Sequence, residues 1–161
     1  TTGTVSWHLI WQIMKWISLE YPSLRMVVLG DESEKEMISD LESIENVEIL
    51  IGETSIQELP AIIAGARLHL GQDSSMLHIA GTTNTKTVTV WGGSDPDLYG
   101  WRAIDPNNHV TIHHKLDCHP CSRWLNPNVS KVEFPGMCPD FKCLQLIKVK
   151  DVKQAIMDLV Q

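Results

Sequence analysis

No apolar run in this chain approaches the roughly 18 residues that a membrane-spanning helix needs, so nothing in it reads as a transmembrane segment. Basic residues are in the minority. Thirteen Lys and Arg stand against 20 Asp and Glu, leaving a net charge of −7. That balance argues against a nucleic-acid binder, which holds phosphates through clustered cations. Neither G-x-G-x-x-G nor G-x-x-x-x-G-K-[ST] occurs, so the two common phosphate loops are missing as motifs. Thr1-Thr2-Gly3-Thr4-Val5-Ser6 has no initiator Met and no signal-peptide pattern, and the chain reads as a fragment. Cysteine is confined to one stretch, with all four residues between 118 and 143. A disulfide framework is usually spread more widely, so the clustering points to metal first.

What is present is an ordinary globular composition, 43% apolar and 20% charged, enough for one domain with its own core. Val5, Leu9, Ile10, Ile13, Met14 and Ile17 recur at helical spacing, interleaved with Trp7, Trp11 and Trp16, and Pro22 ends the pattern. Met26 to Leu29, Val47 to Ile51, Leu68 to Leu70 and Thr87 to Trp91 are short apolar or β-branched runs, each closed by Gly, with Val110 to Ile112 as a last strand. Between them lie helical stretches over 31–44, 54–66 and 73–80, and an amphipathic helix over 150–161, capped by Asp151, closes the chain. Strands alternating with helices through short connections predict an α/β domain, a Rossmann-like doubly wound parallel sheet covered on both faces. Ligands of such sheets sit at the carboxyl ends of the strands. The loops after Leu29, Ile51, Leu70 and Trp91 are therefore the ones that carry chemistry.

The loop after Leu70 is the best phosphate site. Gly71-Gln72-Asp73-Ser74-Ser75 runs straight into a helix, whose N-terminal N–H groups and positive dipole end suit a pyrophosphate. Ser74 and Ser75 add hydroxyls, and His78 lies about one turn in. The plainer alternative is an N-cap at Asp73 or Ser74 with a surface His78. Ser94-Asp95-Pro96 follows the Trp91 strand as cleft lining or as ordinary turn chemistry. Arg102 is either a phosphate partner or a solvated cation.

Cys118-His119-Pro120-Cys121 and Cys138-Pro139-Asp140-Phe141-Lys142-Cys143 form two pairs joined by a Pro- and Gly-containing loop. The spacing matches a structural four-cysteine site of Cys118, Cys121, Cys138 and Cys143, closed to water and substrate. Thiolate ligands suit zinc or iron, and sequence does not separate them. His113, His114 and His119 are extra or substitute ligands. Two disulfides or four free thiols are the alternatives.

Residues 53–96 resemble family-nine glycosyltransferases, which include the lipopolysaccharide heptosyltransferases. The pattern G-x-D-[ST]-G-x-x-H-x-A-A is met by Gly71-Gln72-Asp73-Ser74-Ser75-Met76-Leu77-His78-Ile79-Ala80-Gly81. The segment G-T-P-T-V-x-x-[FY]-G-x-[TS]-x-P is met from Lys86-Thr87-Val88-Thr89-Val90-Trp91 to Gly92-Gly93-Ser94-Asp95-Pro96. Thr54-Ser55-Ile56-Gln57-Glu58-Leu59 with Ala64-Gly65-Ala66 is similar to the segment upstream, and weaker likeness runs from residue 7 to the end. Ser75 stands where the family keeps Gly, and Lys86 where it keeps Pro.

The resemblance implies the C-terminal, nucleotide-sugar-binding half of a GT-B enzyme filling residues 1–161, with the Cys-rich loop at 117–144 and an N-terminal acceptor domain absent. It implies an ADP-heptose-like donor, its sugar met by Asp73 and its diphosphate held by the N–H groups of Ser74, Ser75 and Met76, with His78 nearby. Gly30 to Glu34 is similar to the family's G-x-x-x-E, which gives Glu34 the ribose hydroxyls; a charged first helical turn is the rival reading. The implied reaction is inverting transfer to lipopolysaccharide core or a protein hydroxyl. Its general base belongs to the absent domain, so no catalytic residue is assigned here and the isolated chain is expected to bind donor without transferring it. A cytoplasmic setting, peripheral at the inner membrane, follows from the same resemblance. Members with a similar cysteine segment use it to hold iron and to assemble. The competing classes are a non-catalytic nucleotide-binding domain and a metal-stabilised interaction domain.

Overall fold

The structure, a computed structural model, describes residues 7–121, 138 and 141–160. They fall into two compact units divided between Leu59 and Pro60.

In the N-terminal unit, helix α1 (Trp7–Glu20) ends two residues before Pro22, as the sequence predicts. Strand β1 (Met26–Val28) pairs in parallel with β2 (Val47–Ile49). The expected helix over 31–44 forms instead as two 3-10 helices, Glu32–Met37 and Ser39–Ser43. Leu41 lies inside the second, Ile38 and Ile44 stand at its two ends, and all three are buried. Polar side chains reinforce the tighter winding by bonding nearby backbone: Ser33 N–H donates to Asp31 Oδ1 at 3.0 Å and Ser43 Oγ donates to the Asp40 carbonyl at 2.7 Å. These three apolar residues join Met14 and Ile51 in a core flanked by Ile10, Trp11, Met26, Val28, Val47 and Ile49.

Helix α2 (Leu59–Ala64) is shorter than the predicted 54–66. Ser55 and Glu58 close a turn in front of it, with Ser55 N–H and Oγ both donating to Glu58 Oε2, at 2.8 and 2.6 Å. Pro60 has no N–H to extend an α-helical ladder back over that turn, so the helix starts beside it.

The C-terminal unit then runs through β3 (His69–Gln72), α3 (Ser75–Thr82), β4 (Thr87–Trp91), α4 (Pro96–Tyr99), a 3-10 turn (Trp101–Ala103), β5 (His109–His113), α5 (Lys142–Gln145) and α6 (Val149–Val160). The sheet order is β3-β4-β5, all parallel. Every residue of β4 is buried. Successive side chains of a strand point to opposite faces, so the central strand is covered on both, as the parallel-sheet reading requires. Helix α3 packs on β3 and β4, and α6 packs on β4 and β5. Asp151 lies within the first turn of α6 rather than at its N-cap, and its carboxylate reaches back to accept Lys148 N–H at 3.3 Å. The far end of α6 is tied down by Lys86 Nζ, which donates to the Leu159 carbonyl at 2.7 Å, and by Arg67, which donates to that of Val160 at 2.8 Å.

Candidate functional site

The register of the three-stranded sheet sets where its loops emerge. Gln72 pairs with Val90 and Trp91 pairs with His113, so β3, β4 and β5 end side by side at one carboxyl edge. Asp73 leaves the edge after β3. Ser94 leaves it shortly beyond β4. The two loops meet there: Ser94 Oγ donates a short hydrogen bond to Asp73 Oδ2. Ser94 is buried, at 3% exposure, while Asp73 is half-buried and keeps an opening to solvent.

Ser74 occupies the N-cap position of α3 in extended backbone, φ −155° and ψ 173°, yet its side chain caps nothing. Asp73 does not cap the helix either, its carboxylate being turned to Ser94. Among the described residues, neither Ser74 nor Asp73 therefore caps the first-turn N–H groups of α3 with its side chain. A helix end in this state presents donors and a partial positive charge to whatever enters. Ser75 is the first helical residue, with its side chain exposed, so the serine in the glycine's place points to solvent. Met76 is half-buried, and His78 is exposed on the same helix.

Glu34 belongs to the other unit. Its Oε2 accepts Asp31 N–H at 3.0 Å, closing a capping box with Asp31 around the first 3-10 helix. The charged-first-turn reading therefore describes one of its oxygens.

The cysteines depart from expectation. All four are free thiols. Burial pushes the Cys143 thiol above its ordinary range, with smaller upward contributions from Cys138, Cys121 and Cys118. Even so, among the described residues no three His, Cys, Asp or Glu side chains are placed to hold one metal ion. The expected zinc or iron site thus finds no support among the described residues. The sulfurs have different settings: Cys138 Sγ accepts Phe141 N–H at 3.3 Å, Cys118 is exposed, and Cys121 Sγ lies where a side chain on Gly93 would begin, 2.7 Å from the position of its Cβ. The loop between the two pairs lies outside the described residues. The substitute ligands do not complete a site either. His113 and His119 face one another with ring centroids 5.5 Å apart, and His113 Nδ1 and His119 Nε2 are buried without hydrogen-bond partners. Burial foremost, then His119, holds the His113 imidazole below its ordinary pKa; Asp97 pulls the other way, and Arg102 and His114 add to the lowering. Arg102 itself is exposed.

Two features of this unit escaped the sequence. One is the hydrogen bond between Ser94 and Asp73, whose partners stand 21 residues apart. The other is His69, whose Nε2 is buried without a hydrogen-bond partner at the start of β3 and whose pKa burial lowers to about 4. The parallel pairing that places loops after β3 and β4 together was the only signal for the first, and an inward-facing His inside an apolar run was the only signal for the second.

Residues 24–130 match the profile of glycosyltransferase family 9 (heptosyltransferase). The chain belongs to this family. Two solved structures share its fold. One is the Escherichia coli ADP-heptose lps heptosyltransferase II, with a TM-score of 0.65 at 19% identity over 94% of this chain and 40% of that one. The other is a family 9 glycosyl transferase from Veillonella parvula, with a TM-score of 0.74 at 17% identity over 99% of this chain and 42% of that one. The chain thus spans about two fifths of the length of either, 40% and 42%. No curated protein matches it significantly. Among the described residues no helix is long and apolar enough to cross a membrane.

Proposed function

We propose that this chain binds the nucleotide-sugar donor of a glycosyltransferase, with a nucleoside diphosphate sugar of the ADP-heptose kind as ligand. The observation that carries the reading is the open N-terminus of α3 beside a carboxylate at the carboxyl edge of a parallel sheet. Diphosphate oxygens accept from the N–H groups of Ser74, Ser75 and Met76, with the helix dipole favouring their charge. On this reading His78, exposed one turn in, meets the same anion. Asp73 accepts hydroxyls of the sugar; the ribose role of Glu34 rests on the resemblance of Gly30 to Glu34 to the family's G-x-x-x-E, and Glu34 has one oxygen outside its capping box. The family's reaction, inverting transfer to a saccharide or protein hydroxyl, needs a base to take the acceptor's proton and positive groups to stabilise the departing diphosphate. The helix end supplies the second. The base is assigned to a partner domain, so this chain alone binds donor and transfers nothing.

Titration calorimetry with ADP, UDP, GDP and ADP-heptose tests the proposal. ADP-heptose is expected to bind most tightly. No binding by any of the four below millimolar concentration overturns the reading.

A further inference from the structure

The short loop after β4 holds a hydroxyl whose position local structure does not explain. Ser94 is followed by α4, but that helix is capped by its neighbour. Asp95 stands at the N-cap and its Oδ1 accepts Asp97 N–H at 3.0 Å, with Pro96 at the first helical position. Ser94 has no part in that cap. It is buried, and its one hydroxyl proton goes to Asp73 Oδ2 across the gap between two strand ends. A carboxylate on a loop can turn about its terminal torsion, which is broad and roughly two-fold. A buried donor gripping one oxygen removes that freedom. It leaves Oδ1 and the remaining lone pair of Oδ2 to meet a ligand, beside the open end of α3.

We propose that Ser94 is a positioning residue, setting the orientation in which Asp73 meets the sugar of the donor while leaving the diphosphate contacts to α3. This rests on the donor-binding reading above. It predicts an effect divided by ligand. ADP has no sugar beyond its diphosphate, so its affinity is indifferent to how Asp73 is turned; the affinity for ADP-heptose is not. A serine needed only for packing would disturb both ligands together.

The test is calorimetry on the 161-residue chain with ADP and ADP-heptose. Ser94→Ala is expected to weaken ADP-heptose about tenfold, the scale of a hydrogen bond to a charged group, while ADP stays within about twofold of wild type. Asp73→Ala is expected to lose the same preference, and Ser94→Ala added to it to cost nothing more. Should Ser94→Ala not fold, Ser94→Cys fills nearly the same space with a poor donor and is read in the same way. The proposal is overturned if Ser94→Ala binds ADP-heptose like wild type, weakens both ligands alike, or adds its effect in full to Asp73→Ala. Wild type that binds ADP and ADP-heptose equally overturns it too, by removing the sugar contact. Wild type that binds neither fails the donor reading itself, and this proposal with it.

Discussion

His69 shows how a single residue can couple the fold to pH. Its ordinary pKa of 6.5 falls to about 4 because burial disfavours the charged ring. The unfolded chain therefore binds a proton between those values that the folded chain does not. This group's contribution to stability is full above pH 6.5 and is lost as pH falls through 4, by up to about 3 kcal/mol once the folded state is protonated as well. His69→Leu removes the titrating ring and its unpartnered Nε2. Urea unfolding between pH 7 and pH 4 should show a shallower decline in that variant, by about one proton's worth of slope. An unchanged slope would show that the ring is protonated as easily in the fold as outside it. At this same scale the sequence named most of the candidate site. Asp73, Ser74, Ser75, Met76 and His78 do share one strand–helix junction, because that junction is contiguous in the chain. The roles of Glu34 and Ser94 were less legible, since each depends on which atom its carboxylate or hydroxyl reaches.

Helices and strands were legible where hydrophobic period and breakers agreed. All five strands lie where short β-rich or apolar runs end in turn residues, and α1, α3 and α6 follow their apolar spacing. The stretch around Met37, Ile38, Leu41 and Ile44, read as one helical face, formed two 3-10 helices instead, with Ile38 and Ile44 at their ends. Helix α3 also illustrates how an element is held in place. Gly81, near its C-terminus, faces the indole of Trp101, and a Cβ there would lie 2.1 Å from Trp101 Cε2. Gly81→Ala forces the ring or the helix to move. Overpacking of that kind costs about 1–3 kcal/mol, against about 1 kcal/mol regained from alanine's better helix propensity. Gly65 is the control, because a Cβ there meets nothing closer than 3.5 Å. Thermal melts should place Gly81→Ala several degrees below wild type and Gly65→Ala level with it or above. Equal melting temperatures for the two variants would mean that Trp101 yields freely.

For the molecule as a whole, charge and affinity point in different directions. A chain of net charge −7 repels a diphosphate at long range, so the proposed donor binding rests on the short-range N–H donors and dipole of α3. Salt screens the first effect more than the second, since the screening length is about 10 Å at 0.1 M. Calorimetry is therefore expected to give an ADP affinity that holds steady or rises as NaCl goes from about 30 to about 300 mM, where the screening length shortens several-fold. A tenfold loss would point instead to exposed cations such as Arg102 as the principal contacts. By itself the sequence determined the alternation of strands and helices, the acidic balance, the family and the contiguous loop from β3 into α3, because each is written in neighbouring residues or in composition. The tertiary structure alone decided that Ser94 grips Asp73, that Asp73 and Ser74 leave the end of α3 open, and that four clustered cysteines do not converge on one ion among the described residues. Spacing along a chain limits how far apart side chains can lie; only the packing of the backbone sets where they point.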